Sequence, residues 1–242
     1  IVDAGHIAPE RMLGSWAGAM GQTQFMPSTF LRYAVDYDGD GHIDIWSSVP
    51  DVMASSANYL SHIGWRGDET WGREVRVPPR FPYDQAELDI IRPLAEWQRL
   101  GVRRIDGGDL PRADVRASLL LPMGARGPAF LVYDNFRATM HWNASSFYAV
   151  AVGHLADRLA GGTPFVGPRP DLGPPLRVAE VIEMQQALNA RGFDVGEPDG
   201  RVGQRTRGGL RGFQAQMGLP ADGFPTRDVL AMLRGGAAHP GR

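Results

Sequence analysis

The sequence predicts a mainly α protein of the α+β type, with a small β region in a larger N-terminal domain and a small three-helix domain behind it. Apolar residues recur at helical spacing over several segments, whereas three short apolar runs have the length of strands. Glycine and proline concentrate between positions 161 and 175, where neither spacing is present, which is typical of a linker. We therefore divide the chain into a domain of residues 1–162, a linker of 163–178 and a C-terminal domain of 179–237.

Composition narrows the functional classes before any motif is considered. The 242 residues carry a formal net charge of −2, so charge gives no reason to expect nucleic acid or an anionic membrane as a partner. The absence of cysteine excludes disulfides, thiolate zinc sites and a cysteine nucleophile. No apolar run approaches the ~20 residues of a transmembrane helix.

The N-terminal domain contains helices whose ends are marked by proline and glycine. Proline at the first position predicts a helix over 27–34, and Pro50 opens a helix that ends at Gly64. A third short helix is expected over 93–100 and the longest over 143–159, where apolar residues repeat at helical spacing. Between these helices, the apolar runs at 74–77, 118–121 and 130–133 predict short strands.

The C-terminal domain contains a weak internal repeat. Asp199-Gly200 and Asp222-Gly223 each form a tight turn before an amphipathic helix, with glycine supplying a positive φ. Together with a helix over 178–190, these two units predict a closed bundle of three helices. The predicted core of the bundle consists of Leu188, Leu210, Phe213, Leu219 and Leu230.

The acidic segment 36–44 has the spacing of a calcium-binding loop. Asp36, Asp38 and Asp40 occupy loop positions 1, 3 and 5, so that their carboxylates can converge on one hard cation. Gly41 occupies position 6, where such a loop turns sharply. Clustered aspartates repel one another unless a cation neutralises them, and we therefore expect calcium here.

The second half of this loop departs from the usual pattern. His42 at position 7 offers its backbone carbonyl, but Ser47 stands at position 12, where a bidentate glutamate is usual. The missing carboxylate then comes from Asp44 or from Asp51, and Asp51 requires a longer loop. The alternative is an acidic turn that caps a helix and binds nothing.

The Gly-rich segment 14–28 allows two interpretations. Small residues alternate with Trp16, Gln24 and Phe25, so the backbone can approach a sugar polymer while amide and aromatic groups contact it. The same pattern also fits a packing segment without a ligand. Segment 142–148, taken alone, is explained by a helix N-cap with buried aromatic residues.

Four segments together resemble one enzyme family, the lytic murein transglycosylase B family. They follow one another in the family's order and span nearly all of residues 1–160. The tail resembles the peptidoglycan-binding modules of the three-helix type. The segments that carry the first resemblance are 14–28, 36–46, 55–65 and 142–152, and those that carry the second include Gln185, Asp199-Gly200, Phe213-Gln214 and Asp222-Gly223.

The resemblance implies a lysozyme-like fold that cleaves the β-1,4 bond between N-acetylmuramic acid (MurNAc) and N-acetylglucosamine (GlcNAc). Such enzymes use a single glutamic acid, which protonates the leaving oxygen and then activates the muramoyl C6 hydroxyl. A 1,6-anhydro ring closes without water, unlike the reaction of two-carboxylate hydrolases. In that family the glutamate lies well upstream of the stretch at 14–28, and Glu10 sits in no similar motif. We therefore expect an N-terminally truncated chain, with the acid upstream and this piece inactive alone.

The residues that the resemblance carries over are supporting ones. It places Ser15 and Gln24 in the cleft near the acid and the muramoyl sugar, with Ser15 and Asn143 supporting catalysis. Asn143 would contact the acetamido region of the substrate, and Tyr148 would lie near the catalytic carboxyl. Trp142 stands where the family often has tyrosine, which keeps an aromatic surface. The implied ligands of a structural Ca²⁺ are Asp36, Asp38, Asp40, His42 and Asp51.

The partners implied by the resemblance are peptidoglycan glycan strands, with wall peptide or glycan at the C-terminal domain. The implied location is the bacterial periplasm or cell envelope, and an association with the outer membrane through an upstream segment stays open. A function of another class also stays open: a non-catalytic wall-binding or scaffolding protein whose cleft only holds glycan.

Overall fold

The structure is a computed structural model that describes residues 1–235, and it confirms a mainly α protein with one small antiparallel sheet. No helix in this range is both long and apolar enough to cross a membrane. The helices of these residues are α1 (Pro27–Tyr33), α2 (Val49–His62), α3 (Leu94–Arg99), α4 (Asp134–Trp142), α5 (Ser146–Leu159), α6 (Val178–Asn189), α7 (Gln204–Gln216) and α8 (Arg227–Leu233). The strands are β1 (Gly72–Arg76), β2 (Arg92–Pro93), β3 (Arg103–Arg104), β4 (Arg116–Leu120) and β5 (Ala129–Val132).

The chain forms two compact units. The first contains Ile1–Thr70 and Asp134–Ser145, and so gathers α1, α2 and α4. The second contains Trp71–Tyr133 and the chain from Ser146 onward, and so holds the sheet together with α3 and α5 to α8. The division of the sequence at 162 and 178 follows its resemblances and composition, and it stays a prediction.

The two N-terminal helices of the first unit begin close to where proline places them in the sequence. α1 has Pro27 in its first turn, where the missing N–H of proline costs nothing. α2 follows Ser48, whose hydroxyl accepts a hydrogen bond from the Asp51 N–H at 3.3 Å. The buried core beside these helices consists of Met20, Phe25, Phe30, Ile45 and Val52.

The prediction of one long helix over 143–159 is wrong in its starting point. The chain turns at 143–145, so that α5 begins at residue 146 and a separate helix, α4, precedes the turn. Polar Asn135 and Thr139 share the buried face of α4 with Phe136, which hides the apolar period that identifies a helix in sequence. The Asn135 side chain makes three hydrogen bonds of 2.7–2.8 Å to backbone groups of the loop after α2, so its burial is fully compensated.

The sheet lies in the second unit, with the strand order β2-β4-β5-β1-β3 and antiparallel pairing throughout. The three predicted strands are present, with ends shifted by one or two residues. The edge strands β2 and β3 have only two residues each, too few to show a period in the sequence. Trp97 of α3 is fully buried against the sheet, where its indole N–H donates to the Ala117 carbonyl at 2.9 Å.

The Gly- and Pro-rich segment behind α5 has an irregular backbone, as expected, but its middle is held against the sheet. The Glu74 carboxylate of β1 accepts hydrogen bonds from the N–H groups of Val166 at 3.0 Å and Gly167 at 2.8 Å. The ring of Phe165 stacks on His154 of α5, with 3.7 Å between the ring centroids. A Cβ on Gly167 would lie 2.5 Å from a Glu74 oxygen, so any larger residue there would displace this carboxylate.

The tail packs three helices, α6, α7 and α8, around one core, as the repeat predicts. The prediction of Leu219 as a core residue is wrong, because Leu219 is only half buried and lies outside that core. α7 ends at residue 216, so Leu219 falls in the turn behind the helix. Met184 and Val195, which the sequence prediction omitted, are buried instead. The predicted core residues that are buried are Leu188, Leu210, Phe213 and Leu230.

Two buried glutamines hold the two Asp-Gly turns of the tail in the same way. Gln185 accepts a hydrogen bond from the glycine N–H of its turn at 2.9 Å and donates to Asp199 at 3.1 Å. Gln214 accepts from the glycine N–H of the second turn at 2.8 Å and donates to Asp222 at 2.7 Å. The internal repeat of the sequence is therefore a repeated set of side-chain contacts.

Replacing Gln214 with alanine should destabilise the tail, since it leaves the buried Gly223 N–H without its acceptor and removes one of the two donors to Asp222 Oδ1. We expect Gln214→Ala to lower the free energy of unfolding by about 2–3 kcal/mol, measured by urea denaturation. Gln216→Ala is the matched control, because Gln216 is exposed on the same helix. Equal urea midpoints for the two variants would contradict this account of the turn.

Candidate functional site

The Gly-rich segment of the first unit folds into a compact double turn, with antiparallel bridges from Gly14 to Met20 and from Met20 to Phe25. A Cβ on Gly14 would lie 2.6 Å from the Ala19 carbonyl oxygen, so the approach of the two chain segments requires glycine. The Ser15 hydroxyl accepts a hydrogen bond from the Ala19 N–H at 3.1 Å. The backbone of the turn therefore fixes the position of Ser15.

Gln24 occupies an unusual backbone conformation at the end of this turn. Its φ is +52°, and no other non-glycine residue among 1–235 has a positive φ. The amide nitrogen of its side chain donates to the Gly21 carbonyl at 2.9 Å. The amide oxygen accepts no hydrogen bond from the residues described, and the side chain is exposed, so this oxygen is available to a hydroxyl donor.

Gln24 lines an open groove of about 570 Å³, most of whose other lining residues the sequence did not single out. Trp46 is fixed there by a hydrogen bond from its indole N–H to a backbone carbonyl at 2.8 Å, and Gln22 donates to the Trp46 carbonyl at 2.9 Å. Glu10 and Arg11 also line the groove. Trp46 and Gln22 belong to segments with a family resemblance, which was the available signal, whereas Glu10 and Arg11 form no pattern in the sequence.

Trp142 is packed against the same turn. Its indole N–H donates to the Thr23 carbonyl at 3.2 Å, and its ring lies 5.4 Å from the Phe25 ring and 5.1 Å from the Tyr59 ring, between centroids. Burial, and then the neighbouring Tyr33, raise the pKa of the Tyr59 hydroxyl. Since Trp142 is half buried in this cluster, much of its ring serves as packing for the turn.

The structure places the predicted cleft residues in both units. Ser15, Gln24, Trp142 and Asn143 lie in the first unit, and Asn143 is exposed directly after the end of α4. Tyr148 lies in the first turn of α5, in the second unit. The first unit therefore brings Trp142 against the turn that carries Ser15 and Gln24.

The acidic loop brings three of the predicted metal ligands together. Carboxylate oxygens of Asp36, Asp38 and Asp51 lie within 4.8 Å of one another. Asp51 is almost fully buried, at 1% exposure, and accepts hydrogen bonds from the N–H groups of Tyr37 at 2.8 Å and Asp44 at 2.9 Å. The first turn of α2 thus carries its carboxylate into the loop.

The remaining acidic residues of the loop make other contacts. Asp40 accepts from the His42 N–H at 2.8 Å and lies outside the group of three carboxylates. The His42 ring nitrogen Nδ1 lies 3.1 Å from the Gly5 carbonyl oxygen. Asp44 accepts from the N–H groups of residues 46 and 47, and although burial works to raise its pKa, the hydrogen bonds from Ser47 and its neighbours hold that pKa below its usual value.

Among the glutamates of residues 1–235, Glu10 lines the groove beside Gln24, and the others are not among its lining residues. In the first unit Glu10 is exposed, and Glu69 pairs with Arg66 at 2.8 Å. In the second unit most glutamates are held by arginines or backbone N–H groups. Those partnered glutamates are Glu74, Glu87, Glu96, Glu180 and Glu183.

Two family models match this chain. One, "Transglycosylase SLT domain", matches residues 1–157, and the other, "Putative peptidoglycan binding domain", matches residues 177–233. Among curated proteins, the chain is similar to the membrane-bound lytic murein transglycosylase B of Escherichia coli (strain K12). The identity is 36% over 160 residues, which cover 63% of this chain and 41% of that protein.

Solved structures give a similar result. The fold matches SltB3 from Pseudomonas aeruginosa in complex with NAG-anhNAM-pentapeptide with a TM-score of 0.93 and 52% identity, covering 96% of this chain and 63% of that one. It matches the Escherichia coli lytic transglycosylase Slt35 in complex with calcium with a TM-score of 0.50 and 30% identity, covering 61% and 46% of the two chains. The present chain therefore spans less than two thirds of the length of these relatives.

Proposed function

Because the chain belongs to the transglycosylase SLT domain family, we propose that it is part of a peptidoglycan lytic transglycosylase. This enzyme would cleave the MurNAc-β-1,4-GlcNAc bond with formation of 1,6-anhydroMurNAc. The observation that carries the proposal is the match, over nearly the whole chain, to a structure holding NAG-anhNAM-pentapeptide, since an anhydro sugar is the product of such cleavage. The proposed setting is the bacterial cell envelope, in line with the membrane-bound relative.

The cleft residues have the chemistry that this substrate requires. The free amide oxygen of Gln24 and the exposed side chain of Asn143 would bind the hydroxyl and acetamido groups of the glycan. Ser15 and Tyr148 would act near the catalytic carboxyl, and Trp142 would support the turn beneath the sugar. None of these side chains is a carboxylic acid, so we propose that the general acid is a glutamate outside these 242 residues.

We further propose that the acidic loop binds a structural calcium ion. The donor set fits the ion, because three carboxylates approach within 4.8 Å and hard oxygen ligands are those that Ca²⁺ prefers. Asp36, Asp38 and Asp51 would hold the ion, with Asp40 and the His42 carbonyl as further proposed ligands. Calcium would neutralise the loop and so tie the start of α2 to the preceding segment.

Calcium should raise the melting temperature of the chain relative to a chelator. The position-12 glutamate is absent, so we expect weak binding, with a dissociation constant of about 10⁻⁴–10⁻³ M. Calcium at 1 mM would then stabilise the fold by roughly 0.4–1.4 kcal/mol, read by circular dichroism. Asp38→Asn should abolish the shift, whereas Asp3→Asn, which alters an exposed aspartate outside the loop, should keep it. A wild-type melting curve that is the same in calcium and chelator would refute the site.

We propose that the tail binds the cell wall, as the match to the peptidoglycan binding family supports. The isolated tail, residues 177–235, should sediment with purified peptidoglycan while showing a helical circular dichroism spectrum. A folded tail that stays in the supernatant would refute this assignment.

A further inference from the structure

The two Asp-Gly turns of the tail are equivalent in sequence and in internal bonding, but only the second is in use. Asp199 and Asp222 each use Oδ1 in the same way: it accepts from a glutamine side chain and from the backbone N–H two residues on, at 2.7–3.1 Å. Both turns lead into a helix, with Gly203 and Thr226 at the N-cap positions. The repeat therefore aligns the second oxygen of each aspartate as well.

The second turn holds a loop of the sheet region within the same unit. Asp222 Oδ2 accepts a hydrogen bond from the Ala125 N–H at 2.7 Å. Gly124 lies so close that a Cβ on it would be 2.6 Å from this oxygen. Next to it, the Arg126 guanidinium reaches Asp228 at 3.3 Å. The turn thus binds a short peptide segment through one backbone N–H and one charged side chain.

The first turn offers a carboxylate oxygen and charged side chains to a ligand. Asp199 is exposed, and its Oδ2 accepts no hydrogen bond from residues 1–235. It lines an open groove of about 840 Å³ together with Arg201 and Arg205. Neither arginine forms an ion pair with another described residue, and Arg205 occupies the repeat position that Asp228 has in the second turn. The charge at that position is thus reversed.

We propose that this groove, the Asp199 groove, binds the peptide part of peptidoglycan. An amide N–H of the peptide donates to Asp199 Oδ2, as Ala125 does at the second turn, and a peptide carboxylate pairs with Arg201 or Arg205. Glu197 also lines the groove, so the groove carries both signs of charge. A peptide that bears carboxylate and amino groups matches such a groove better than a neutral glycan does. This proposal rests on the proposed wall binding of the tail.

The test measures binding of the whole chain to a soluble muropeptide and to the same disaccharide without its peptide, by isothermal titration calorimetry. The wild type should bind the muropeptide and bind the bare disaccharide at least tenfold more weakly. Asp199→Asn keeps Oδ1 but places an NH₂ group where the ligand N–H would bind. It should weaken muropeptide binding about tenfold, as should the pair Arg201→Gln and Arg205→Gln.

Asp222→Asn is the matched control at the occupied turn. It should lower the thermal stability of the chain, because the Ala125 N–H loses its acceptor, and leave muropeptide affinity unchanged. If the wild type binds the muropeptide and the Asp199 and arginine variants bind equally well, the groove is not the site, and wall binding by the tail is then decided by the sedimentation of residues 177–235 alone. If the wild type binds neither purified peptidoglycan nor the muropeptide, the proposed function of the tail fails and the groove proposal fails with it.

Discussion

Purified peptidoglycan incubated with this 242-residue chain is expected to release no 1,6-anhydromuropeptides. General acid catalysis needs a carboxyl group within about 2.6–3.2 Å of the leaving oxygen. In the first unit, Glu10 is exposed to solvent and Glu69 is paired with Arg66 at 2.8 Å, so we do not expect either to supply the acid. Ser15 and Asn143 can orient a sugar but cannot protonate it.

The reaction products are read by mass spectrometry, and the comparison is a longer chain that supplies the family's glutamate. That chain should release anhydro products, and changing its added glutamate to glutamine should abolish them. Anhydro product from the 242-residue chain itself would show that one of its own carboxyls is the acid. Products with a reducing end from the longer chain would indicate hydrolysis and would count against the proposed reaction.

Asp51→Ala is expected to cause the largest loss of stability of any single change in the acidic loop. The carboxylate is buried, and it accepts two hydrogen bonds from the backbone N–H groups of Tyr37 and Asp44. Each hydrogen bond to a charged group contributes about 1.5–3 kcal/mol, so the variant should lose roughly 3–5 kcal/mol. At this chain length that corresponds to a melting temperature lower by about 10 °C.

The measurement is made in chelator, so that calcium does not contribute. Asp40→Ala is the matched control in the same loop, because Asp40 is exposed and accepts only from the His42 N–H. We expect it to change the melting temperature by about 2 °C or less, as surface changes usually do. Equal shifts for the two variants would mean that the buried carboxylate does not organise the loop. A normal calcium response from Asp51→Ala would remove Asp51 from the proposed ligands.

The acidic loop shows how far sequence spacing reaches. The two-residue spacing of Asp36, Asp38 and Asp40 predicted that their carboxylates converge, and the structure brings the first two together while Asp40 lies outside the group. The choice between Asp44 and Asp51 could not be made from the sequence, since it depends on where α2 begins and which way its first turn faces. Asp51 lies with the other two carboxylates, whereas Asp44 accepts hydrogen bonds from the backbone N–H groups of residues 46 and 47.

The helices near the site show a second limit. A proline start and an apolar period identified α1 and α2, and the repeat identified the three tail helices. α4 was missed because Asn135 fills its buried face with a polar side chain, whose hydrogen-bonding partners lie 66 and 69 residues away in the sequence. Contacts at that separation leave no local pattern, and the same holds for the indole N–H of Trp142, which reaches Thr23.

The hydrogen bonds that Glu74 accepts from the chain behind α5 also raise the effective concentration of the three-helix bundle near the sheet. At the other end Arg227 of α8 donates hydrogen bonds to the Pro174 and Pro175 carbonyls, so with Val166 and Gly167 held the tether between these anchors is residues 168–173 rather than residues 160–173. Roughly halving a tether lowers the entropic cost of closing it by about 0.6 kcal/mol, and a shorter tether keeps its two ends in each other's neighbourhood. The Glu74 carboxylate of the sheet therefore favours every contact that the bundle makes with the sheet, including that of Asp222 with Ala125.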